Sequence, residues 1–362
     1  MRKIHAVEEE TGLPHSGGVP RREFLIGLAA LGAAAVLPKA LLAAQARAAA
    51  SAQPFRIDTN HHFSAPGFVD EIAGRKTGQR PLMEWTVQKS LEDMDKGGVA
   101  TAMLSISEPS VWFGNDNAAR RLARECNDYG ARLMADHRGR FGLFAILPLP
   151  DVDGALREIE YALDTLKADG VCVMTSYEGK YLGDPAFARV MDELNRRKAV
   201  VYCHHFRAEC CKNLQPELGP AVIELGTDTT RTIASVLFSG TAARCPDIRF
   251  LWSHGGGTFP YLMNRFLGVA QRQDMAPRLP RGLLYEVQKF YYDTANFFNP
   301  YALPTLMKTV PVSHVLFGTD FPFGTAPAQA VAKGLSDYGF SASDLRAIER
   351  ENALGLFPRL KT

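Results

Sequence analysis

The sequence predicts an α/β fold, a single (β/α)8 TIM barrel, and three observations predict it. Strand-like and helix-like segments alternate along the chain, as a parallel α/β architecture requires. Several interior runs, such as Ala199-Val-Val-Tyr-Cys203, are continuously apolar, as strands buried on both faces are. Finally, chosen strand-like runs end in side chains that bind metals: Arg56-Ile-Asp-Thr-Asn-His-His-Phe63, Val200-Val-Tyr-Cys-His204, Phe250-Leu-Trp-Ser-His254 and Val315-Leu-Phe-Gly-Thr-Asp320. Strand ends facing one way are where a barrel builds its site, and imidazole with carboxylate is the ligand set of a catalytic divalent ion.

The candidate strands are 55–60, 100–106, 141–147, 170–175, 199–204, 248–253, 289–294 and 313–319, which makes eight. Helical patterns fall at 86–97, 116–135, 152–168, 184–197, 220–243, 258–272, 300–309 and 343–356. Asp184-Pro185 and Asn299-Pro300 each place a capping side chain before a proline suited to a first helical turn. An open doubly wound sheet is the competing architecture, but no Gly-x-Gly-x-x-Gly follows the first strand. Ligands spread over the first, fifth, sixth and eighth strands also favour closure, because only a barrel brings its first and last strands together. One domain, residues 54–362, is expected.

The chain has 362 residues, 46% hydrophobic and 22% charged, which is ordinary globular composition. A net charge of +2 gives no sign of nucleic acid or an anionic membrane surface as a partner. Residues 1–50 differ from the rest. Arg21-Arg-Glu-Phe-Leu-Ile-Gly27 opens an Ala/Gly/Leu stretch that runs to Leu37, stops at Pro38, and is followed by small-residue cleavage sites at Ala44-Gln-Ala46 or Ala48-Ala-Ala50. Paired arginines before such a segment resemble a twin-arginine export signal, which implies a periplasmic or extracellular protein. The apolar run of 14 residues from Phe24 to Leu37 is short of a membrane span, so stable insertion of the mature chain is not expected. Of six cysteines, Cys126, Cys172 and Cys203 fall in helix or strand segments and read as buried thiols; Cys210-Cys211 is adjacent in a loop, and Cys245 completes the set. No disulfide framework is expected.

Along the first strand, alternation puts Asp58, Asn60 and His62 on one face and Thr59 and His61 on the other. His204 ends the fifth strand, and His254 ends the sixth before Gly255-Gly-Gly257, whose glycines let backbone approach a ligand. Asp320 follows the eighth strand. His205 stands at the mouth, where it either meets a substrate or caps the strand. Trp112-Phe113 and Phe297-Phe298 follow the second and seventh strands and are candidates to line an aromatic pocket or to pack under loops. His137 and His314 read as structural or exposed, and His5 and His15 belong to the leader.

These motifs together resemble the amidohydrolase-related superfamily, in the branch of aminocarboxymuconate-semialdehyde decarboxylase and the aromatic-acid decarboxylases. The resemblance runs from Arg56 to Phe357 on Ile57-Asp-Thr-Asn-His-His62, Val201-Tyr-Cys-His204, Ser253-His-Gly-Gly-Gly257, Tyr291-Tyr-Asp-Thr-Ala295, Leu316-Phe-Gly-Thr-Asp-Phe-Pro322 and Glu351-Asn-Ala353. Gly98-Val-Ala-Thr-Ala102, Leu147-Pro-Leu-Pro-Asp151 and Tyr181-Leu-Gly-Asp-Pro185 further resemble the 6-methylsalicylate decarboxylase group. The resemblance implies His62, His204 and Asp320 as metal ligands, His254 as a catalytic or substrate-polarising residue, and Asp293 as a support behind the ligands. It also allows a homodimer. The sequence departs from the family at Asn60, where the strand-one motif normally supplies a first histidine. Asn60 either ligates through its amide oxygen, gives way to water, or marks a site whose metal affinity has fallen.

The activity implied is metal-dependent, non-oxidative decarboxylation of a small aromatic or unsaturated carboxylic acid. One divalent metal is expected, zinc first, with manganese or iron as alternatives, and no organic cofactor. Asp320, or a water activated by His254, is the natural proton source. Hydrolysis of an amide, ester or lactone uses nearly the same residues, and a catalytically silent exported binding protein is a further reading that rests on Asn60. The fourth strand, Gly170-Val-Cys-Val-Met-Thr175, lacks the lysine that would mark a two-metal hydrolase, so one metal is expected.

Overall fold

β-Branched and aromatic residues stiffen the extended chain and pack well on a pleated surface, and the strands form where the sequence concentrates them. A computed structural model describes residues 54–211, 217–219, 221–324 and 327–361; the leader expected at 1–50 lies outside them. Eight parallel strands follow the chain: β1 (Arg56–His62), β2 (Val99–Ser105), β3 (Phe141–Ile146), β4 (Gly170–Met174), β5 (Val200–His204), β6 (Arg249–Trp252), β7 (Tyr291–Asp293) and β8 (Val315–Leu316). Each pairs with the next in sequence order, for example Val171 with Val201 and Tyr202 with Leu251. Phe144, Tyr202, Phe250, Trp252 and Tyr292 are wholly or almost wholly buried among the strands.

The ring closes between β1 and the chain that continues β8. Thr59 N donates to Phe317 O at 2.8 Å, Asp320 N to Asn60 O at 2.8 Å, and His62 N to Phe321 O at 2.7 Å. Gly318 permits the approach, since a Cβ there would lie 2.8 Å from Asp293 Cβ and 3.1 Å from Asn60 Cβ. The Asp58 carboxylate ties the seam together: it accepts from Thr319 N at 3.0 Å, Thr319 Oγ1 at 2.6 Å, Asn60 N at 3.1 Å and His61 Nδ1 at 2.9 Å. Because Nδ1–H is spent on Asp58, His61 Nε2 accepts from Ser90 Oγ at 3.0 Å, and Ser90 in turn accepts from Trp85 Nε1 at 3.0 Å. His61 is thus a fastening, stacked on Phe321 with ring centroids 4.3 Å apart.

This arrangement corrects the expected alternation. The β1–β2 register shifts between Asp58 and His61, a bulge that breaks strict two-residue periodicity. Asp58 therefore turns to the seam and to His61 instead of sharing the face of Asn60 and His62.

Helices cover the strands, and several match the expected spans: Val87–Gly97 capped by Thr86, Asp116–Asp136 capped by Asn115, and Val152–Glu160 with a π turn to Thr165. The run expected at 220–243 divides into Glu224–Phe238 and Thr241–Arg244 at Gly240, whose φ of 82° leaves the right-handed region. Asn299 accepts from Tyr301 N and Ala302 N, yet the helix proper begins later, at Leu303. Helices at Pro66–Gly74, Leu283–Lys289 and Pro327–Tyr338, and a hairpin of Ser176–Tyr177 with Lys180–Tyr181, are additions to the sequence reading. Cys126, Cys172 and Cys203 are fully buried free thiols.

Asp58→Ala would leave four donors facing a void, so it should destabilise the protein by about 3–5 kcal/mol in urea unfolding. A loss below about 1 kcal/mol would show that the seam does not depend on this carboxylate.

Candidate active site

Three strand ends enter the barrel mouth through a residue in the left-handed region: His254 after β6 (φ 53°), Asn296 after β7 (φ 54°) and Asp320 after β8 (φ 64°). Asn, Asp and His tolerate this conformation better than other side chains, and here it turns each one back over the ring. Backbone N–H groups hold the turns: His254 N donates to the side-chain Oδ1 of Asp293 at 2.9 Å, and Phe297 N to the carbonyl of Thr294 at 2.9 Å. The glycines at 255, 256 and 257 all have positive φ, and a Cβ at Gly257 would strike Gly226 O at 1.9 Å.

The mouth gathers most of the residues the sequence singles out. Asp320 Oδ1 lies 3.2 Å from His62 Nε2, 3.7 Å from His204 Nε2 and 3.4 Å from His254 Nε2. His62, His204 and Asp320 each offer one ligand atom, all within 4.8 Å of one another, so they can hold a metal ion. Neighbouring bonds orient them, as second partners of metal-binding histidines commonly do. His62 Nδ1 meets Ser105 Oγ at 2.9 Å, and His204 Nδ1 meets the His205 carbonyl at 3.1 Å. A carbonyl only accepts, so His204 carries its proton on Nδ1 and presents the Nε2 lone pair. That nitrogen is buried with no hydrogen-bond partner and faces a carboxylate oxygen.

Asn60 sits beside this group. Its Nδ2 donates to Asp293 Oδ2 at 3.1 Å, which leaves Asn60 Oδ1 buried without a donor. Asp293 also accepts from Ala295 N at 3.0 Å, which fixes it behind Asn60. Burial raises its carboxyl to about 7. For Asp320, burial acts upward too, but the His254, His204 and His62 imidazoles hold it well below the usual carboxylate range. Burial pushes His204 down to about 3 and His205 well below its ordinary value. Burial also opposes charge on His254, but the Asp320 carboxylate prevails and its pKa rises. His254 is thus the imidazole of this cluster whose surroundings favour a proton, and Asp320 the carboxyl whose surroundings favour its loss.

A cavity of about 580 Å³ opens over these groups. His205, His254, Asn296 and Asp320 line its polar side, and Leu225, Phe297 and Phe323 its apolar side. Of the four aromatics considered, Phe297 is the one that reaches it. Phe113 lies under the Arg75 guanidinium at 4.6 Å, Trp112 is not among the lining residues, and Phe298 packs where a Cβ on Gly334 would touch it. His137 caps a helix and His314 stacks on Tyr291, both away from the mouth.

Two features escape a reading by motif. Asn296 donates through Nδ2 to Asp320 Oδ2 at 3.1 Å and so fixes the carboxylate's rotation; the only hint was an asparagine just past a strand end. Asp228, fully buried, accepts from Thr175, Ser176 and Tyr181 hydroxyls, and Thr175 Oγ1 in turn accepts from Phe206 N at 2.9 Å. That chain anchors the loop carrying His205.

The comparisons agree with this geometry. A sequence model of the amidohydrolase family matches residues 57–359. The chain is 37% identical to the decarboxylase yanB of Aspergillus niger, over 84% of this chain and 88% of that one. It is 35% identical to a 6-methylsalicylic acid decarboxylase of Penicillium expansum, over 84% of this chain and 97% of that one. A crystal structure of 2,6-dihydroxybenzoate decarboxylase complexed with 2,6-dihydroxybenzoate superposes with a TM-score of 0.74 at 25% identity, covering 85% of this chain and 100% of that one.

Asp293→Asn should reverse the Asn60 amide. The two backbone donors keep an oxygen at Oδ1, so the new NH2 faces Asn60 and forces it to accept. Retention of a divalent ion in equilibrium dialysis should then fall about 10–100-fold; unchanged retention would show that the Asn60 oxygen is not needed.

Proposed function

We propose a carboxy-lyase: the chain belongs to the amidohydrolase family, and within it acts as a metal-dependent, non-oxidative decarboxylase of a small aromatic carboxylic acid. The observation that carries the metal is His204 Nε2, buried without a hydrogen-bond partner 3.7 Å from an Asp320 carboxylate oxygen, with its Nδ1–H committed to the His205 carbonyl. Two such electron-rich atoms are stable together when a cation joins them. The substrate class follows from relatives named as decarboxylases and from a cavity that joins an apolar wall to a polar one.

In this reading Asn60 Oδ1, His62 Nε2, His204 Nε2 and Asp320 would hold one divalent ion, zinc first, with manganese and iron as alternatives. Bound there, the ion supplies Lewis acidity and a fixed anchor for the substrate carboxylate. Phe297 and Phe323 hold the ring in the cavity and exclude water. His254 delivers its proton to the ring carbon that bears the carboxylate. The C–C bond then breaks, its electron pair restores the aromatic ring, CO2 leaves, and the proton stays on the carbon. Asp320 remains ionised throughout, so of the proton sources expected from sequence the His254 side is favoured over Asp320 itself. His254 regains a proton from solvent.

The protein loaded with zinc, manganese or iron should release one CO2 per 6-methylsalicylate or 2,6-dihydroxybenzoate consumed, and a chelator should abolish it. Hydrolysis of an ester or lactone in place of CO2 release from either acid would move the assignment to a hydrolase.

Asn60→His tests the irregular ligand. With Asn60 part of a working centre, the substitution should cut turnover about tenfold or more while the ion is retained. A rise in turnover would mark Asn60 as a degraded position.

A further inference from the structure

The end of β5 brings two imidazoles to the mouth, and the seat described above uses one of them. His205 is 6% exposed and His254 9%, and His205 Nδ1 is buried with no hydrogen-bond partner, as are His204 Nε2 and His254 Nε2. The His205 ring lies 3.9 Å from that of His204 and 4.5 Å from that of His254. One ring nitrogen from each of the three falls within 4.8 Å of the other two. Among the described residues this is one of two groups able to hold an ion, and His204 belongs to both.

We propose that His204, His205 and His254 form a second seat for a divalent cation, exclusive of the seat made by His62, His204 and Asp320. Exclusion follows from His204: its Nδ1–H is committed to the His205 carbonyl at 3.1 Å, so Nε2 is its only coordinating atom, and one lone pair serves one ion. The protein therefore carries a single ion at this mouth, in one seat or the other.

Donor chemistry decides which. The first seat mixes imidazole with carboxylate oxygen and, through Asn60, amide oxygen, a set that admits zinc, manganese or iron. The second is all nitrogen and suits copper(II), which imidazole binds most strongly among the divalent first-row ions. An ion in the second seat would engage the His254 ring that the reaction proposed above uses, together with His205 on the cavity wall, and so would block that reaction. The identity of the ion would thus switch the protein between a competent and a silent state. This inference rests on the reading of the mouth as a metal centre.

The test uses the full chain freed of metal, loaded with copper(II) or manganese(II), and electron paramagnetic resonance. The wild type should bind one copper per chain with hyperfine structure from three nitrogens, and copper should release bound manganese one for one. His205→Phe, which keeps a ring in place, should weaken copper about tenfold or more and remove one nitrogen from the spectrum, with manganese affinity changed by less than about twofold. His62→Ala should do the converse. Copper and manganese bound together, two ions per chain, would overturn exclusivity. Copper spectra unchanged by His205→Phe but lost with His62→Ala would overturn the second seat and leave the first intact. Wild-type protein that binds neither ion would overturn both readings at once. Should His205→Phe not fold, His205→Asn and the wild-type displacement experiment decide the same question.

Discussion

The fold and its site depend on one closure, the bonding of the first strand to the chain leaving the last. A parallel sheet of eight strands has two edges, and here they are joined by three backbone bonds and one buried carboxylate, Asp58. The joint lies at the level of the mouth. Asp320 N is bonded to Asn60 O, so the backbone that seals the ring also fixes the distance between two groups of the centre. Gly318 is part of the same constraint, because no side chain fits between Asp293 and Asn60.

From that joint the electrostatics follow. Asp320 is surrounded by three imidazoles; its negative charge outweighs burial at His254 and raises that pKa, whereas burial prevails at His204 and His205 and lowers theirs. The carboxylate is kept in one rotation by Asn296, and Asn60 is kept in one orientation by Asp293. Each ligand-bearing residue has its second polar atom occupied by the scaffold, and at Asn60 and His204 the first atom is left buried without a partner. Such preorganisation lets a site bind charge without rearranging at the moment of reaction.

Much of this was legible in the sequence. The positions of all eight strands could be read from apolar runs, and the grouping of His62, His204, His254 and Asp320 from their shared place at strand ends. What could not be read depends on geometry that a two-residue period does not encode. The bulge between Asp58 and His61 is a register effect, set by how β1 meets β2. Asn296 and Asp228 act through bonds to residues 24 and 53 positions away, without a motif of their own. Trp112 and Phe113 follow a strand as Phe297 does, yet neither lines the cavity, and Phe113 packs under Arg75.

The left-handed backbone at His254, Asn296 and Asp320 restricts how this mouth can change over evolutionary time. At these positions conformation and chemistry select from the same short alphabet: Asn, Asp, His or Gly. A drift to a β-branched or bulky residue would strain the turn before any reaction was affected, and the larger relatives Glu and Gln are less at ease there as well. New chemistry in such a scaffold is therefore expected to arise by exchange within that alphabet, or on neighbouring walls such as that of Leu225 and Phe323, where the backbone imposes no such filter.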